Sequence, residues 1–460
     1  MSDARLSPFE KIGYALGDAG LNLYWRVFDV FLMVFYTDVF GISPTAAGTM
    51  LLVARVWDGI NDPLMGILAD RTRTRFGSYR PWLVWAALPM ALAGVLAFTV
   101  PDWSATPKLV YAYVTYIFMM TAYTAIGIPY SALMGVISTS TRERTSIASY
   151  RFVGAFTGGL AVSFGAPWLV SLLGGGDDAA GWSYTMMVFG VVAIVLFGLC
   201  FASTKERVAP EARSWSELGQ DLASQARNRP LLILFGLTAI LFFALAMRGA
   251  TGLYYLQYYV DPSGFSVLGL DLSSREAFVS TFLTTSGFAF LAGVLLTDPL
   301  SRLASKHVLY VILSIATNAL AFALFFVPAD QVWLIVGISL LSGFVAGPLP
   351  PLMFAMLCDV ADYGAFTTGR RATGLVFAGS LFFGKIGAAA GGYTTGVLLD
   401  AYGYVANQPQ TPTALTGILL LAHVIPGVVT YVAIGLIAFY GLSDRKMAEV
   451  EAGLAARRAG

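Results

Sequence analysis

Charged residues are scarce in this chain. They occupy 12% of its 460 positions, whereas hydrophobic residues occupy 57%. A soluble protein of this length carries about twice that share of charge. The net charge is only +1, and no basic patch is interleaved with aromatic residues as nucleic-acid binding requires. The composition therefore predicts an integral membrane protein, with the lipid bilayer as a partner and no nucleic acid.

Cysteine and histidine are also rare, with two of each. Cys200 and Cys358 lie in apolar runs, which predicts buried thiols and no disulfide framework. His307 and His423 are far apart in the sequence, and no Cys–His cluster accompanies them. We therefore expect neither a resident cofactor nor an enzymatic activity.

Apolar stretches long enough to cross a bilayer recur along the whole chain. The predicted spans cover residues 12–40, 46–69, 82–101, 108–137, 147–173, 182–203, 231–260, 276–297, 308–328, 331–358, 373–400 and 413–442. The predicted domains are a six-helix bundle over 1–203, a middle loop over 204–230, a second six-helix bundle over 231–442 and a tail over 443–460. The fold class is thus an all-α polytopic membrane protein with twelve transmembrane helices in two pseudo-symmetric halves.

Lysine and arginine lie mostly on one side of these spans. On the opposite side, the only basic residues are Lys108, at the very start of the fourth span, and Arg275, in a loop. Because cytoplasmic loops carry the excess of basic residues, both termini, the middle loop and the tail are predicted to be cytoplasmic. We expect the chain to be integral to the cell inner membrane.

The two halves share short motifs at similar places. Phe35–Asp38 closes the first span and Tyr258–Asp261 closes the seventh, each followed at the same spacing by glycine and serine. The fourth and tenth spans share a predicted proline break, at Pro129 and Pro350. A parallel repeat of this kind is one arrangement used by secondary transporters.

The second span carries an unusual group of polar residues near its midpoint. Asp58 and Asp62 are one helical turn apart, with Asn61 adjacent and Arg55 one turn earlier. Each central acid costs roughly 2.5–3.5 kcal/mol on insertion scales, so its presence calls for an explanation. Stacked oxygen ligands suit Na⁺ or a proton. The alternative is a structural ion pair of Arg55 with one acid, but one arginine cannot neutralise two carboxylates.

Two motifs connect this chain to a known family. The loop from Gly66 to Gly77 resembles the signature loop of the major facilitator superfamily. The segment RVWDGINDP at 55–63 is similar to the second helix of the glycoside–pentoside–hexuronide:cation symporters. Further matches are Tyr14–Asp18, Phe35–Asp38, Ile128-Pro129, Arg151-Phe152, Gly252–Tyr259, Asp359–Gly364 and Lys385. They span nearly the whole chain, and we identify it as a member of that family.

The resemblance implies a cation site. In the family, second-helix acids and a fourth-helix threonine hold the cation, and the matching positions here are Asp58, Asn61, Asp62 and Thr124. Asp58 and Asp62 would be the metal ligands if the cation is Na⁺. Lys385 matches a family lysine near both cation and sugar. The neutral oxygens of Asn61 and Thr124 favour Na⁺, since a proton needs no such ligands.

The sugar pocket is expected to differ from that of the family's α-galactoside carriers. Their sugar-binding acids align with Asn22 and Gly127, and their stacking tryptophan aligns with Ser131. We therefore do not predict an α-galactoside carrier.

Asn22, Arg26 and Asp29 lie on one face of the first helix. They are the candidates to replace the sugar-binding residues of the α-galactoside carriers. Tyr123 and Arg151 align with family substrate positions, and Lys385 completes the predicted substrate set. The alternative is that Arg26 and Asp29 form only an internal ion pair. The charged residues of this predicted pocket permit either a neutral glycoside or an anionic sugar as the substrate.

Two acid-rich segments are predicted to form cytoplasmic gate salt bridges. In the signature loop, the arginines, Arg73 among them, are predicted to pair with Asp70 and with carbonyl oxygens at the helix C-terminus. At the end of the tenth span, Asp359 and Asp362 lie near Arg370 and Arg371, to which we assign the same role.

These features predict a cation-coupled symporter, driven by Na⁺ or H⁺, that moves a sugar or glycoside by alternating access and functions as a monomer. A hexuronide or a sulfated sugar is allowed as its substrate. The alternative substrate is a non-sugar amphiphile such as a lysolipid, because animal lysolipid carriers resemble the same family. For Arg248, in the seventh span, two alternatives stay open, namely that it faces the transport cavity or that it pairs with an acid.

Overall fold

A computed structural model describes residues 6–138, 141–207, 228–368, 373–437, 439–442 and 444–459. These residues form twelve long helical segments, so the predicted all-α fold class is confirmed. The first six are Pro8–Val30 with Leu32–Val34 and Phe35–Val39, Pro44–Arg71, Arg80–Trp85 with Ala87–Ala97, Ala105–Ile137, Thr141–Gly174 and Asp178–Ser203. The next six are Arg229–Tyr254 with Tyr255–Tyr259, Arg275–Leu295 with Thr297–Ser301, Lys306–Leu324, Val332–Ala346 with Leu349–Thr368, Thr373–Ala401, and Pro412–Leu419 with Leu420–Val424 and Ile425–Ile437. A last helix, Asp444–Ala459, follows.

Within the described part of the chain, nine helices are long and apolar enough to cross a membrane by length and composition alone. The second helix, Pro44–Arg71, is not among the nine. Its length of 28 residues is sufficient. Its hydropathy is lowered by Arg55, Asp58 and Asp62 in the middle of the helix.

Several helices begin at a Ser-Pro or Thr-Pro pair. The hydroxyl oxygens of Ser7, Ser43 and Thr411 each accept a hydrogen bond of 3.2 Å from the backbone N–H three residues later. The proline that follows occupies the first helical position, where its missing N–H has no partner to lose. Local sequence alone therefore sets these helix starts.

The seventh and eighth helices are joined by a short hairpin. Ser266–Val267 pairs antiparallel with Leu270–Asp271, in the register Ser266 to Asp271. Leu268 and Gly269 form the turn with φ of 51° and 81°, as a tight hairpin turn requires. This hairpin is a small departure from an all-helical chain.

The first helix of each half ends in a π-helical turn. These turns are Phe35–Val39 and Tyr255–Tyr259. The shared sequence motif aligns Phe35 with Tyr258, whereas the turns align it with Tyr255. The repeat is therefore present in the structure, but its register differs by three residues from the sequence motif.

Close helix packing in the first half depends on two glycines of the fifth helix. A Cβ added to Gly154 would clash with the carbonyl oxygen of Ala15, and one added to Gly158 would clash with that of Ala19. Ala15 and Ala19 belong to the first helix. Small residues four apart let two helix backbones approach in a membrane, where lipid supplies no hydrophobic drive.

The second half repeats this packing. Gly387 and Gly391 of the eleventh helix are also four residues apart. A Cβ on either would clash with the seventh-helix carbonyl oxygen of Ala239 or Phe243, respectively. The fifth and eleventh helices hold equivalent places in their halves, so the parallel repeat extends to tertiary packing.

The two predicted proline breaks differ in the structure. The fourth helix runs unbroken through Pro129, contrary to the prediction. The tenth is interrupted at Gly347-Pro348 and restarts at Leu349. A single proline costs a helix one backbone hydrogen bond, which membrane helices tolerate, whereas Gly-Pro followed by two further prolines removes several.

The chain divides into two compact units. The first unit is Met1–Ala212 with Arg275–Thr281, and the second is Arg213–Ser274 with Phe282–Gly460.

In the third helix, Leu88, Leu92 and Leu96 recur every four residues and are 41–56% exposed, as a lipid-facing row requires. Cys200 is buried as predicted, but Cys358 is exposed, because an apolar run in a membrane helix also faces lipid.

Candidate functional site

Asp58 is the most deeply buried acid of the second helix, with 1% of its surface exposed. The Nη1 atom of Arg55 lies 3.3 Å from its Oδ2 atom, so the ion pair considered in the sequence analysis is present. The guanidinium of Arg55 also lies over the ring of Trp25 from the first helix, 5.3 Å from its centroid. Arg55 is thus held between a carboxylate and an aromatic face.

Asp62 lies one turn further along the same helix. Thr124 of the fourth helix donates its hydroxyl to Oδ1 of Asp62 at 3.1 Å. Asn61 is 8% exposed, and its Nδ2 atom has no hydrogen-bond partner among the described residues. The structure therefore brings the fourth-helix hydroxyl to the second-helix acids. The role of these four residues as cation ligands stays a prediction.

The chemistry of this group fits a hard monovalent cation. Two carboxylates, an amide and a hydroxyl supply oxygen atoms and no sulfur or imidazole. The amide of Asn61 can present its oxygen instead of its nitrogen, since that assignment follows from the hydrogen bonds it makes. A buried amide nitrogen without a partner is rare and calls for such an explanation.

Arg26 and Asp29 of the first helix form an ion pair of 3.1 Å, the alternative left open by the sequence. Arg26 Nε also donates to the hydroxyl of Ser163 at 3.0 Å. Asn22 donates to the carbonyl oxygen of Asp18 at 2.9 Å. The Arg26 and Asp29 side chains are 30% and 35% exposed, so pairing leaves both accessible to a small molecule.

Arg151 of the fifth helix has a partner that the sequence analysis did not name. Its Nε atom lies 3.2 Å from Oδ2 of Asp18, and its guanidinium lies over the ring of Tyr130 at 5.3 Å. Asp18 was noted only as part of a family motif. An acid inside a predicted span is itself a signal, and a search for the counter-charge of Arg151 would have found it.

These pairs change the charge balance inside the helices. In the first unit, Arg26, Arg55 and Arg151 form ion pairs with Asp29, Asp58 and Asp18, respectively. Asp62 is a fourth aspartate of the same helices and accepts the hydroxyl of Thr124. Four aspartates are thus set against three arginines in this group.

Tyr123 belongs to an aromatic group on the first and fourth helices. Its ring centroid lies 6.3 Å from that of Trp25 and 6.0 Å from that of Phe28. Trp25 is 39% exposed. Sugar sites commonly combine aromatic faces with a few polar groups. Trp25 was not among the predicted site residues, although an aromatic residue beside Arg26 was the available signal.

Lys385 lies in the second unit, near the middle of the eleventh helix, and is half-buried. Its predicted place beside the cation and the substrate stays a prediction.

The predicted ion pair between Asp70 and Arg73 does not form in the described structure. The Asp70 carboxylate accepts from the hydroxyl of Tyr79 at 2.6 Å. Arg73 Nη1 donates to the carbonyl oxygens of Asp70 and Thr72, at 2.7 and 3.2 Å, which is the predicted contact with the helix end. Burial, aided by the Asp70 carboxylate, raises the pKa of Tyr79 above its usual range.

Glu206 organises the same loop and was missed by the sequence analysis. Its carboxylate accepts from the backbone N–H groups of Ser78, Tyr79 and Arg80, at 2.8, 2.7 and 2.9 Å. Gly77, with φ of 112°, lies so close that a Cβ there would clash with the carboxylate. A carboxylate at the start of the third helix also suits the helix dipole.

The predicted gate at the end of the tenth span also has an ion-pair partner other than the predicted one. Both carboxylate oxygens of Asp359 lie 2.8 Å from Nζ of Lys306. Asp362 lies one turn further on. Arg370 and Arg371, the predicted partners, lie outside the described residues.

A membrane chain that is helical apart from one short hairpin, built as two repeated halves with charged residues buried inside its helices, defines a transporter of the major facilitator fold. The fold resembles a crystal structure of a bacterial homologue of the human lysosomal transporter Spinster. The TM-score is 0.70 at 12% identity, over 96% of this chain and 98% of that one. This likeness concerns the fold alone.

The family model for MFS/sugar transport proteins matches residues 13–444, and the chain belongs to this family. It is 36% identical to the putative glycoside/cation symporter YagG of Escherichia coli, over 99% of this chain and 96% of that protein. It is 35% identical to the isoprimeverose transporter of Lactiplantibacillus pentosus, over 89% and 83%. It is 31% identical to a glucuronide carrier protein homologue of E. coli, over 95% and 93%. The protein is therefore a multi-pass membrane transporter and not an enzyme.

Proposed function

We propose that this protein is a secondary active symporter that couples the uptake of a sugar or glycoside to Na⁺. The observation that carries the proposal is the contact of Thr124 with Asp62, beside the buried Asp58 and Asn61. A threonine hydroxyl from one helix and two acids from another form an oxygen-rich site inside the membrane. A relative named as a putative glycoside/cation symporter supports the coupling.

Cation binding links the second and fourth helices in this mechanism. A bound Na⁺ neutralises the additional negative charge near Asp58 and Asp62 and draws Thr124 and Asn61 towards it. A cation that orders these helices raises the affinity for substrate, and by linkage the substrate raises the affinity for the cation by the same factor.

Na⁺ is favoured over H⁺ because two of the four side chains are neutral. A proton needs only a carboxylate, whereas a metal ion needs several oxygen ligands. Asn61, buried and with its Nδ2 atom unpartnered, supplies one of them.

The substrate is a sugar or glycoside that contacts the first, fourth and fifth helices. Arg26, Asp29 and Arg151 supply charged hydrogen-bond partners, and Trp25 and Tyr123 supply aromatic faces. The names of relatives include an isoprimeverose transporter and a glucuronide carrier homologue, and these support a sugar over a lysolipid. The carrier works as a monomer in the inner membrane, with both termini in the cytoplasm.

The coupling is tested by uptake into proteoliposomes. The variants are Asp58→Asn and Asp62→Asn, and Asp298→Asn, at an acid that is 75% exposed, is the matched control. We expect an inward Na⁺ gradient to drive accumulation in the wild type and in the control but in neither site variant. Exchange of substrate at equal concentrations on both sides should survive in at least one of them. Accumulation driven by a pH gradient but never by Na⁺ would refute the choice of cation.

The substrate class is tested by thermal unfolding of the purified protein. The ligands are neutral glycosides, pentoses, hexuronides, sulfated sugars and lysolipids, each with and without Na⁺. A ligand at about 100 times its Kd stabilises the folded state by roughly 2.7 kcal/mol. We expect a sugar-dependent shift that increases with Na⁺. A lysolipid shift without any sugar shift would overturn the sugar assignment.

A further inference from the structure

A cluster of polar side chains lies inside the second unit, between the seventh, ninth and twelfth helices. Arg248 Nη2 donates to Oδ1 of Asn318 at 2.5 Å, and Asn318 Nδ2 donates to the carbonyl oxygen of Ser314 at 2.7 Å. A Cβ added to Gly427 would lie 3.7 Å from Asn318 Oδ1 and 3.9 Å from Arg248 Nη2. The guanidinium therefore meets the ninth helix through a neutral oxygen and the twelfth helix through a residue without a side chain.

Three polar atoms of this cluster have no hydrogen-bond partner among the described residues, and all three are buried. They are Nε of Arg248, the hydroxyl of Tyr255 and Nε2 of His423. Tyr255 and His423 are 3% and 7% exposed, and their rings meet edge-on with centroids 4.6 Å apart. Native proteins leave few buried polar groups unsatisfied, so three in one place call for a bound species.

Helical spacing brings these groups around a position that has no side chain. Arg248, Gly252 and Tyr255 fall at i, i+4 and i+7 of the seventh helix, and His423 and Gly427 are four residues apart on the twelfth. A Cβ added to Gly252 would meet nothing within 4 Å. Two glycines thus leave room for a small species beside the guanidinium and the tyrosine hydroxyl.

The charge of the cluster is positive. In the described part of the chain, no carboxylate forms an ion pair with Arg248, so the pairing with an acid that the sequence left open is not found there. A charge within a membrane helix is costly and is normally offset by an opposite charge. Arg55 and Arg151 have such offsets in Asp58 and Asp18. The described helices supply Arg248 with none of this kind.

The three unsatisfied atoms are all donors or can become donors. The Nε atom of an arginine and the hydroxyl of a tyrosine carry hydrogens, and Nε2 of a neutral histidine carries one in one of its two tautomers. Donors around a positive charge do not suit a metal cation. A water molecule accepts hydrogen bonds but leaves the charge without an offset. A small anion accepts from all three groups and supplies the missing charge.

We propose that the second unit contains a site for a small inorganic anion, chloride, formed by Arg248, Tyr255 and His423. A monovalent ion matches the single charge of the guanidinium, and a small one matches the space left by two glycines. The anion acts as a resident counter-ion and links the seventh and twelfth helices through hydrogen bonds. All its groups belong to one unit, and the inference depends neither on the substrate nor on the coupling cation.

The first test measures thermal unfolding of the purified full chain in sodium chloride and in sodium gluconate, at constant Na⁺ concentration and ionic strength. The wild type should become more stable in chloride. Its melting temperature should rise with the logarithm of the chloride concentration once this exceeds the Kd. The variants are Arg248→Gln, which removes the charge, and Tyr255→Phe, which removes one donor. The matched control is Arg302→Gln, at an arginine of the same unit whose side chain is 75% exposed.

We expect Arg302→Gln to respond to chloride as the wild type does and Arg248→Gln to lose the response. Tyr255→Phe should require roughly ten- to a hundredfold more chloride for the same rise in melting temperature. Equal stability of the wild type in both salts, or an equal chloride response in Arg248→Gln, would overturn the proposal. If Arg248→Gln does not fold, Tyr255→Phe decides, and an unchanged chloride requirement in it would also overturn the proposal.

The second test locates the anion. The chain contains only two histidines, so histidine-selective isotope labelling distinguishes two side chains by NMR, and a His307→Asn variant assigns the signals of His423. Replacing gluconate by chloride should shift the His423 signals in the wild type and in Arg302→Gln but not in Arg248→Gln. A melting temperature that depends on chloride without any His423 shift would place the anion elsewhere and refute this site.

Discussion

Arg151 Nε lies 3.2 Å from Oδ2 of Asp18, which joins the fifth helix to the first. Asp18 is 6% exposed, and Arg151 is half-buried. The ion pair lies one turn from Asn22 and beside the closely packed glycines of the fifth helix. An arginine held in this way has its position fixed before substrate arrives, which reduces the entropy lost on binding.

The first prediction separates the contribution of the Asp18–Arg151 pair to stability from its contribution to substrate binding. Asp18→Asn should lower the free energy of unfolding by about 3–5 kcal/mol, because it leaves Arg151 charged and without its carboxylate. The double variant Asp18→Asn/Arg151→Met should recover much of that loss in thermal unfolding. If Arg151 also binds substrate, the double variant will be folded yet fail to bind sugar. Normal sugar binding by it would make the arginine purely structural.

The second prediction concerns Thr124. Replacing it by Val removes the hydroxyl that contacts Asp62 at 3.1 Å and keeps the volume similar. A hydrogen bond to a charged group contributes about 1.5–3 kcal/mol, so the Na⁺ concentration for half-maximal uptake should rise roughly ten- to a hundredfold. Thr124→Ser, which keeps the hydroxyl, is the control and should remain near the wild type. Equal Na⁺ dependence in both variants would exclude Thr124 as a ligand.

The third prediction concerns the exposed pair of the first helix. Asp29→Asn should weaken substrate binding by about 1.5–3 kcal/mol and leave Na⁺ binding nearly unchanged, as measured by calorimetry with each ligand. Arg26→Lys should also weaken it, because a point charge does not replace a planar fork. The double variant Arg26→Met/Asp29→Leu leaves neither charge unpaired. Normal substrate affinity in it would mean that the pair serves only the fold.

The fourth prediction uses two neighbouring glycines of the fifth helix. A Cβ at Gly158 would clash with the carbonyl oxygen of Ala19, whereas a Cβ at Gly159 would meet nothing within 4 Å. Gly158→Ala should therefore lower the free energy of unfolding by about 1–3 kcal/mol through overpacking. Gly159→Ala should be neutral or stabilising by up to about 1 kcal/mol, since alanine favours a helix. Equal thermal unfolding of the two variants would contradict the packing described here.

The fifth prediction concerns the loop after the second helix. Glu206→Ala removes the acceptor of three backbone N–H groups and should destabilise the protein by about 1–3 kcal/mol. Glu449→Ala, at a glutamate that is 53% exposed, is the control and should change stability by less than about 0.5 kcal/mol. Limited proteolysis between Arg71 and Arg80 should accelerate only in Glu206→Ala. Unchanged cleavage there would show that Glu206 does not hold the loop.

The sequence by itself determined the class of this protein. Long apolar runs are stable as membrane helices, so composition and spacing predicted a membrane protein of twelve helices, and the resemblance of its motifs to a known family predicted a transporter. Ser-Pro and Thr-Pro pairs determined where several helices start, because capping depends on adjacent residues. The acids of the second helix stood out for the same local reason, since a carboxylate in an apolar span is costly.

The tertiary structure decided which side chains meet. Asp18 with Arg151, Trp25 with Arg55 and Lys306 with Asp359 are far apart in sequence or on different helices. The spacing within one helix gives no information about such partners. Asp70 and Arg73 are close in sequence, yet they do not pair with each other in the described structure. The fold of the loop brings Tyr79 nearer to Asp70 and brings helix-end carbonyl oxygens nearer to Arg73. Helical periodicity places a residue on a face, whereas the packing of helices determines what that face contacts.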